Sequence, residues 1–232
     1  MNSKILAIIP ARGGSKSVPK KNLVKVGGKS LLRWTIEASL RSKYICKTVV
    51  SSEDETILKI SKKYGAETVV RPEKYSRDDT SMVSVVKDCL KQLIIKKENF
   101  DIVVILQPTS PLRNTNDIDS AFKIFFQKKA TALISGYEPE KSPYKAFRVT
   151  KSGLLHGLVN NKTPFKNRQL LSPAFYPNGA IYMIFVKEFL KENNFLTSKT
   201  IPFTMSIEKS IDIDSLEDVK KIDLILRNDN IT

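Results

Sequence analysis

The stretch Ile5-Leu6-Ala7-Ile8-Ile9-Pro10-Ala11-Arg12-Gly13-Gly14-Ser15-Lys16 decides the fold of this chain. Its apolar half, residues 5–9, predicts a buried strand, and Pro10 ends that strand at a loop of small and cationic residues. Glycines permit a tight turn there, and backbone N–H groups in such a loop can point at an anion. Further positive charge around the loop comes from Lys20 and Lys21. A buried strand that runs into a cationic, glycine-containing loop is typical of a phosphate site.

The loop differs from two common nucleotide-binding patterns. It lacks the Gly-Lys-Ser/Thr of the P-loop at the required spacing, and it lacks the Gly-x-Gly-x-x-Gly of dinucleotide-binding folds. The single histidine, His156, offers no Ser–His or Cys–His pairing, so a hydrolase with a nucleophilic triad is disfavoured.

Composition bounds the class of protein. The chain has 232 residues, of which 41% are hydrophobic, enough for one sizeable core with a small appendage. We expect no membrane attachment, because no apolar run approaches the roughly 20 residues that a spanning helix needs. Cys46 and Cys89 form neither a Cys-x-x-Cys pair nor a disulfide framework, which favours a cytoplasmic location.

The formal net charge of +15 leaves a nucleic-acid-binding protein as an alternative. That alternative predicts an affinity that falls steeply with salt. The positive residues are spread along the chain and interleaved with acids, without the aromatic–basic alternation of strand-stacking modules. We therefore expect a lysine-rich solvated surface and no nucleic-acid partner.

Predicted strands and helices alternate, which indicates an α/β fold with a mostly parallel sheet covered by helices on both faces. Residues 140–178 interrupt this pattern and predict an excursion that serves as a lid or a dimerisation arm, leaving 1–139 and 179–232 as the core. The closing segment predicts a short strand, then Asp212 and Asp214, then a helix whose capping box uses Ser215 and Asp218. The predicted strands are 5–9, 48–50, 67–70, 102–106 and 132–135, with further strand-like pieces at 146–149 and 180–185. The predicted helices are 30–40, 55–64, 81–95, 117–127 and 215–228.

Asp212 and Asp214 are the candidate metal ligands. A spacing of two on a strand end places both carboxylates on one side, and two hard oxygen donors suit Mg²⁺ that also binds substrate phosphate. The alternative is that both aspartates are exposed and cap the last helix.

The motifs together resemble the acylneuraminate cytidylyltransferases, the CMP-sialic acid synthetases. In sequence order these motifs are Ile9-Pro10-Ala11-Arg12 with Ser15-Lys16, Lys21-Asn22, Arg71-Pro72, Leu106-Gln107-Pro108-Thr109-Ser110-Pro111-Leu112-Arg113, Pro177-Asn178-Gly179-Ala180-Ile181-Tyr182 and Ser210-Ile211-Asp212-Ile213-Asp214. The resemblance implies a Rossmann-like nucleotidyltransferase that transfers CMP from CTP to a nine-carbon 2-keto sugar acid and releases pyrophosphate. It also implies a homodimer in which the excursion reaches the partner's site.

The resemblance assigns roles to individual residues. Arg12, Lys21 and Asp214 are the implied catalytic residues, with Asp214 a candidate proton acceptor. Asp212 and Asp214 would hold Mg²⁺, Gln107 and Tyr182 would line the sugar site, and Arg168 would position the sugar acid or the phosphates. The full implied substrate-binding set is Ala11, Arg12, Gly13, Ser15, Lys16, Lys21, Asn22, Arg71, Ser81, Gln107, Arg168, Gln169, Asn178 and Tyr182.

The sugar stays open at this point. Residues 137–145 lie where sugar contacts diversify in the family, and both legionaminate and N-acetylneuraminate are compatible with the shared motifs. The pseudaminate and octulosonate cytidylyltransferases are expected to be more distant relatives, because their opening and closing motifs differ. An inactive, nucleotide-binding relative is a further alternative, against which the complete set of polar motif residues speaks.

Overall fold

Strands and helices alternate through most of the computed structural model, which describes residues 3–228. The strands are β1 (Ile5–Pro10), β2 (Lys25–Val26), β3 (Lys29–Ser30), β4 (Lys47–Ser52), β5 (Glu67–Val70), β6 (Ile102–Ile105), β7 (Ala132–Tyr137), β8 (Phe147–Val149), β9 (Leu155–Gly157), β10 (Tyr176–Phe185) and β11 (Thr200–Thr204). The helices are α1 (Leu31–Leu40), α2 (Glu55–Lys63), α3 (Met82–Ile95), α4 (Thr115–Gln127), α5 (Val186–Glu192) and α6 (Leu216–Asn228). No helix within this range is both long and apolar enough to cross a bilayer.

A seven-stranded sheet in the order β11-β7-β10-β6-β1-β4-β5 forms the centre of the fold. β1 pairs in parallel with β4 on one side and with β6 on the other. Strands β4 and β5 therefore extend the sheet on one side of β1, and the later strand β6 extends it on the opposite side. This arrangement is Rossmann-like, and it opens a crevice beyond the carboxyl ends of β1 and β6. The expected mostly parallel sheet is confirmed; β10 is antiparallel to both β6 and β7.

Helices cover both faces of the sheet. One face packs under α1, α2 and α4 and contains Ile9, Val104 and Phe122 in its buried cluster. The other packs under α3 and α5, with Ile8 and Leu90 in a separate buried cluster. Because successive strand residues point to opposite faces, the continuous apolar run at 5–9 supplies both clusters, as expected for a strand buried on both sides.

Local capping signals place the helix starts well. Ser30 and Ser81 are the N-caps of α1 and α3, each accepting a hydrogen bond from the backbone N–H three residues later. α4 begins two residues before its expected start, because Asn114 and Asp117 form a reciprocal capping box. Ser215 and Asp218 likewise bond each other's backbone N–H groups, which confirms the capping box expected ahead of α6.

The prediction of a short strand just before Asp212 is wrong. The segment 208–210 is a single 3₁₀ turn, and β11 lies earlier, at Thr200–Thr204. Side-chain contacts to distant elements hold this segment, since Lys209 pairs with Asp117 and the Ser210 hydroxyl accepts a hydrogen bond from Asn178. Asp212 and Asp214 consequently lie in an irregular segment, residues 211–215, which we call the strap, rather than at a strand end.

The region between β7 and β10 has little regular structure. It contains the two-stranded β8–β9 hairpin and several 3₁₀ turns, and it exposes a series of large apolar side chains. β10 begins at Tyr176, so the last residues of the expected excursion lie within the central sheet.

Candidate active site

A cleft of about 590 Å³ lies at the carboxyl ends of β1, β4, β5 and β6. Its walls come from the loop after β1, the loop between β5 and α3, the loop after β6, and the strap before α6. The residues singled out from the sequence that line it are Arg12, Ser15, Lys16, Lys21, Asn22, Arg71, Gln107, Asp212 and Asp214. The structure thus gathers residues from five of the six motifs in one place.

The loop after β1 is held by hydrogen bonds that leave its cationic side chains at the cleft. The Ala11 N–H donates to the Ser51 carbonyl at 3.0 Å, and the Gly13 N–H donates to Glu53 Oε1 at 2.7 Å. Asn22 Nδ2 donates to the Arg12 carbonyl at 2.8 Å. Ala11 is fully buried, so its role is to place the backbone that follows it.

Two cations of this loop share one carboxylate. Arg12 NH1 contacts Asp78 Oδ1, and Lys16 Nζ lies 2.6 Å from Asp78 Oδ2. Hydrogen bonds from Lys16 and Arg12 lower the pKa of Asp78. Asp78 belongs to the loop between β5 and α3, so the β5–α3 loop lies across the loop after β1.

Lys21 is fixed by the strap at the other end of the chain. Its Nζ donates to the Ile213 carbonyl at 2.7 Å and to Asp214 Oδ1 at 3.0 Å. Only 13% of the Lys21 side chain is exposed, against 78% for Asp214. Lys21 is therefore a positioned cation and not a solvated surface lysine.

Ile213 anchors the two candidate metal ligands. Its side chain is fully buried beside α6, and its N–H donates to the Thr109 carbonyl at 3.0 Å. Asp212 and Asp214 flank it, and both line the cleft. The spacing of two thus brings the carboxylates to one site even though no strand forms there.

Asp212 has the properties of a cation ligand. Its Oδ1 is buried and has no hydrogen-bond partner among residues 3–228. Burial raises the pKa of Asp212, and the Asp214 carboxylate adds to this effect, while a hydrogen bond from Thr109 opposes it. In the same range no group of three or more His, Cys, Asp or Glu side chains is placed so that it could hold a metal ion. Two carboxylates suit Mg²⁺, which commonly completes its shell with water and substrate phosphate oxygens.

Arg71 is a buried cation at the cleft floor. Its Nε donates to Ser51 Oγ at 3.2 Å and its NH2 donates to the Ser51 carbonyl at 2.6 Å. Burial lowers its pKa, and the nearby Glu53 carboxylate opposes that shift. Arg71 thereby joins the ends of β4 and β5 at the cleft.

The other expected nucleotide and sugar residues differ in placement. Gln107 lines the cleft and packs against Gly179, where an added Cβ would lie 3.0 Å from Gln107 Oε1. Ser81 caps α3 between two cleft-lining residues, and its Oγ accepts from the Ser84 N–H. Tyr182 packs into the α3 face with its ring centroid 5.7 Å from that of Phe195, and burial followed by the Asp212 charge raises its pKa.

Asn178 is an internal cross-link and does not line the cleft. Its Oδ1 accepts from the Ser135 hydroxyl and the Ala180 N–H, and its Nδ2 donates to Ser210 Oγ. Its carbonyl accepts from Ser110 Oγ. Asn178 therefore ties β10 to β7, to the loop after β6 and to the segment before the strap.

Arg168 and Gln169 lie in an exposed 3₁₀ turn of the excursion. Neither lines the cleft within the described part of the chain. Gly13 does not line the cleft either. Its N–H donates to Glu53, and an added Cβ would lie 2.6 Å from Asp54 Oδ2.

Sequence reasoning missed several residues that the structure places at the cleft. Asp78, Tyr75, Arg77 and Thr80 come from the charged loop after β5, which carried no assignable pattern. Glu53 lies behind the Gly13 backbone, and its Oε2 is buried with no hydrogen-bond partner among the described residues. The sequence feature that could have identified Glu53 as a site residue is its position directly after a strand.

A family model described as cytidylyltransferase matches residues 6–224. The chain belongs to the cytidylyltransferase family, whose members are CTP-dependent nucleotidyltransferases. The family expected from the sequence motifs is thereby confirmed.

Three similar proteins carry three different sugar names. The pseudaminic acid cytidylyltransferase of Campylobacter jejuni is 32% identical over 94% of this chain and 94% of its own length. The N-acylneuraminate cytidylyltransferase of Streptococcus agalactiae is 33% identical over 93% of this chain and 51% of its own length. The CMP-N,N'-diacetyllegionaminic acid synthase of Legionella pneumophila is 32% identical over 91% of each chain.

The expectation that pseudaminate enzymes are more distant is therefore wrong, since the 32% identity to that relative is within one percentage point of the identities to the other two. A solved structure of a CMP:2-keto-3-deoxy-manno-octonic acid synthetase complexed with CTP is 15% identical. It aligns with a TM-score of 0.69 over 98% of this chain and 100% of its own, which shows a shared fold.

Proposed function

We propose that the protein transfers CMP from CTP to the anomeric hydroxyl of a nonulosonic acid, a nine-carbon 2-keto sugar acid, and releases pyrophosphate. The observation that carries this proposal is the meeting of Arg12, Lys16 and Lys21 with Asp212 and Asp214 at one cleft. Cations from the loop after β1 suit a triphosphate, and the paired carboxylates suit a divalent metal ion. The names of the three relatives support the sugar class.

In this reaction the sugar hydroxyl forms a bond to the α-phosphorus, the bond to the leaving pyrophosphate breaks, and the hydroxyl proton passes to a base. Arg12 and Lys16 bind phosphate oxygens, and Lys21 stabilises the negative charge that develops in the transition state. Asp214 is exposed, so it is the carboxylate that we assign to accept the proton.

Asp212 and Asp214 would hold Mg²⁺, with the buried and unpartnered Asp212 Oδ1 as the clearest ligand atom. When bound, Mg²⁺ would supply positive charge that offsets the charge of the phosphate oxygens.

We further propose a homodimer formed through the excursion, in the cytoplasm. Large apolar side chains are exposed there, including Phe165 at 79%, which is unusual for a surface without a partner. In such a dimer the partner's Arg168 and Gln169 would reach the cleft that they do not reach in their own chain. Phe165→Lys together with Leu170→Lys is expected to give a monomer in analytical ultracentrifugation, whereas an unchanged dimer would refute this interface.

A coupled pyrophosphate-release assay tests the reaction and the sugar together. CTP and Mg²⁺ are supplied with N-acetylneuraminate, legionaminate, pseudaminate or the octulosonate in parallel, with EDTA and sugar-free samples as controls. We expect release only with CTP, Mg²⁺ and one of the nonulosonic acids. Binding of CTP without release from any sugar would refute the transferase and favour the inactive relative, and preference for the octulosonate would refute the nine-carbon class.

A further inference from the structure

The carboxylate of Asp78 lies at the position where the phosphate-binding cations meet. Each of its oxygens contacts one cation of the loop after β1, Oδ1 with Arg12 and Oδ2 with Lys16. These are the same two side chains to which the proposed function assigns the nucleotide phosphates. Asp78 also lines the cleft itself, beside Arg77 and Thr80.

The cations of these two ion pairs are more exposed than Lys21 is in its pair with Asp214. The exposed side-chain fractions are 46% for Asp78, 35% for Arg12 and 87% for Lys16. Solvent-exposed pairs of this kind contribute little free energy, so a more highly charged anion can replace the carboxylate. Lys21 is 13% exposed and also bonds a backbone carbonyl, so its contact with Asp214 is more firmly held.

Asp78 reaches the cations from a loop whose two ends are anchored. At one end Arg71 is buried and bonded to Ser51, and at the other Ser81 caps α3. Between them, residues 72–80 contain one 3₁₀ turn and no longer element. The carboxylate can therefore leave the cations by a movement of residues 72–80, without rearrangement of the sheet.

We propose that Asp78 is an internal competitor for the phosphate-binding cations, so that CTP and pyrophosphate must displace its carboxylate from Arg12 and Lys16. This inference rests on the proposed function. Asp78 acts as a positioning residue: it holds the two cations at the cleft, lowers the affinity for both polyphosphates, and favours release of pyrophosphate once the bond to the α-phosphorus has broken.

The test measures binding of CTP and, separately, of pyrophosphate by isothermal titration calorimetry in EDTA. Asp78→Asn keeps the shape of the side chain and removes its charge. Asp79→Asn is the matched control, since it removes the same charge from an exposed neighbour. We expect Asp78→Asn to lower both dissociation constants about three- to tenfold, and Asp79→Asn to leave them within twofold of wild type.

A double-mutant cycle assigns the effect to the contact. In an Arg12→Met background, the gain from Asp78→Asn is expected to shrink, because one of the two cations for which Asp78 competes is gone. Equal or weaker polyphosphate binding by Asp78→Asn, while wild type binds CTP, would overturn the competitor role alone. Equal gains from Asp78→Asn and Asp79→Asn would also overturn it, by showing a general charge effect. Failure of wild type to bind CTP in EDTA would overturn this inference, and failure with Mg²⁺ present as well would also overturn the proposed function.

Discussion

Lys21 and Asp214 are joined across the length of the chain. The ammonium group of Lys21 lies 3.0 Å from Asp214 Oδ1 and also bonds the Ile213 carbonyl. A residue near the start of the sequence thus positions the carboxylates near its end.

Replacement of Lys21 by Met tests this relationship. The change removes a cation proposed to stabilise the transition state, so we expect kcat to fall about 100-fold. It also leaves the Ile213 carbonyl without its donor, so the protein is expected to lose about 1 kcal/mol of stability. Lys25→Met, at an exposed lysine of β2, serves as the control and should match wild type. Pyrophosphate release and thermal unfolding are the measurements, and a Lys21→Met enzyme with the wild-type rate would contradict the assignment.

Asp212→Asn is expected to abolish Mg²⁺-dependent activity while raising the melting temperature in EDTA. Burial raises the pKa of Asp212, so the folded state disfavours the charged form that is present at neutral pH. The gain should be about 2 °C or more, and it should vanish on acidification, because the wild-type carboxyl group is then protonated in both states. Asp214→Asn, at the exposed partner of Lys21, should show no such gain. A lower melting temperature for Asp212→Asn at neutral pH would refute the burial argument.

Gly13→Ala is expected to displace the loop after β1. A Cβ there would lie 2.6 Å from Asp54 Oδ2 and 2.8 Å from Asp54 Cβ. Since small displacements of positioning groups are costly, KM for CTP should rise about tenfold and the melting temperature should fall. An added Cβ at Gly14 meets nothing within 4 Å, so Gly14→Ala should leave the melting temperature unchanged. Identical melting temperatures for the two variants would argue against a close approach at Gly13.

Asn178→Ala is expected to destabilise the protein by about 2–3 kcal/mol, because it removes the hydrogen-bond partner of buried polar groups. Ser135 and Ser210 both lose their Asn178 partner. Chemical denaturation measures the loss. Asn194→Ala, at an exposed position outside the sheet, should cost far less. A similar cost for the two variants would show that the cross-link does not stabilise the fold.

The Glu37 ion pairs predict a pH dependence of stability. Burial alone would raise the pKa of Glu37, but hydrogen bonds from Lys29 and Arg33 outweigh burial and lower it. The stabilisation is therefore present above the ordinary glutamate pKa of about 4.3 and is lost as the pH falls through the lower folded-state value. Glu37→Gln should cost about 1 kcal/mol at pH 7 and progressively less as the pH falls below about 4.3, whereas the exposed Glu138→Gln should be neutral throughout. A constant cost at all pH values would contradict the ionic origin.

Local signals made much of the fold predictable. Residues 5–9 and 102–106 are uninterrupted apolar runs, and the caps Ser30 and Ser81 lie within three residues of their N–H partners. β11 was not predicted because it contains Pro202, and a proline within a strand-like run of residues argues against a central strand. β11 tolerates the proline because it is the last strand at its edge of the sheet.

The site residues that belong to sequence motifs were predictable. The residues that only tertiary contacts bring to the site were not. Arg12, Lys21 and Asp214 stood in recognisable motifs. The contact of Asp78 with Arg12 spans 66 positions, and no local pattern marks it. Asn178 also belongs to a motif, but only the structure shows that its side chain forms hydrogen bonds inside the fold.

The sheet order has a consequence for how the protein is made. Residues 5–105 contain β1, β4, β5 and β6, which are neighbours, so the half of the sheet that holds the cationic loop can assemble while synthesis continues. Asp214 follows Lys21 by 193 positions, a delay of roughly 10–40 s at ordinary rates of translation. During that interval the nascent chain presents the Lys21 ammonium without its carboxylate partner. A ribosome that stalled in this window would carry the cationic loop without Asp212 and Asp214.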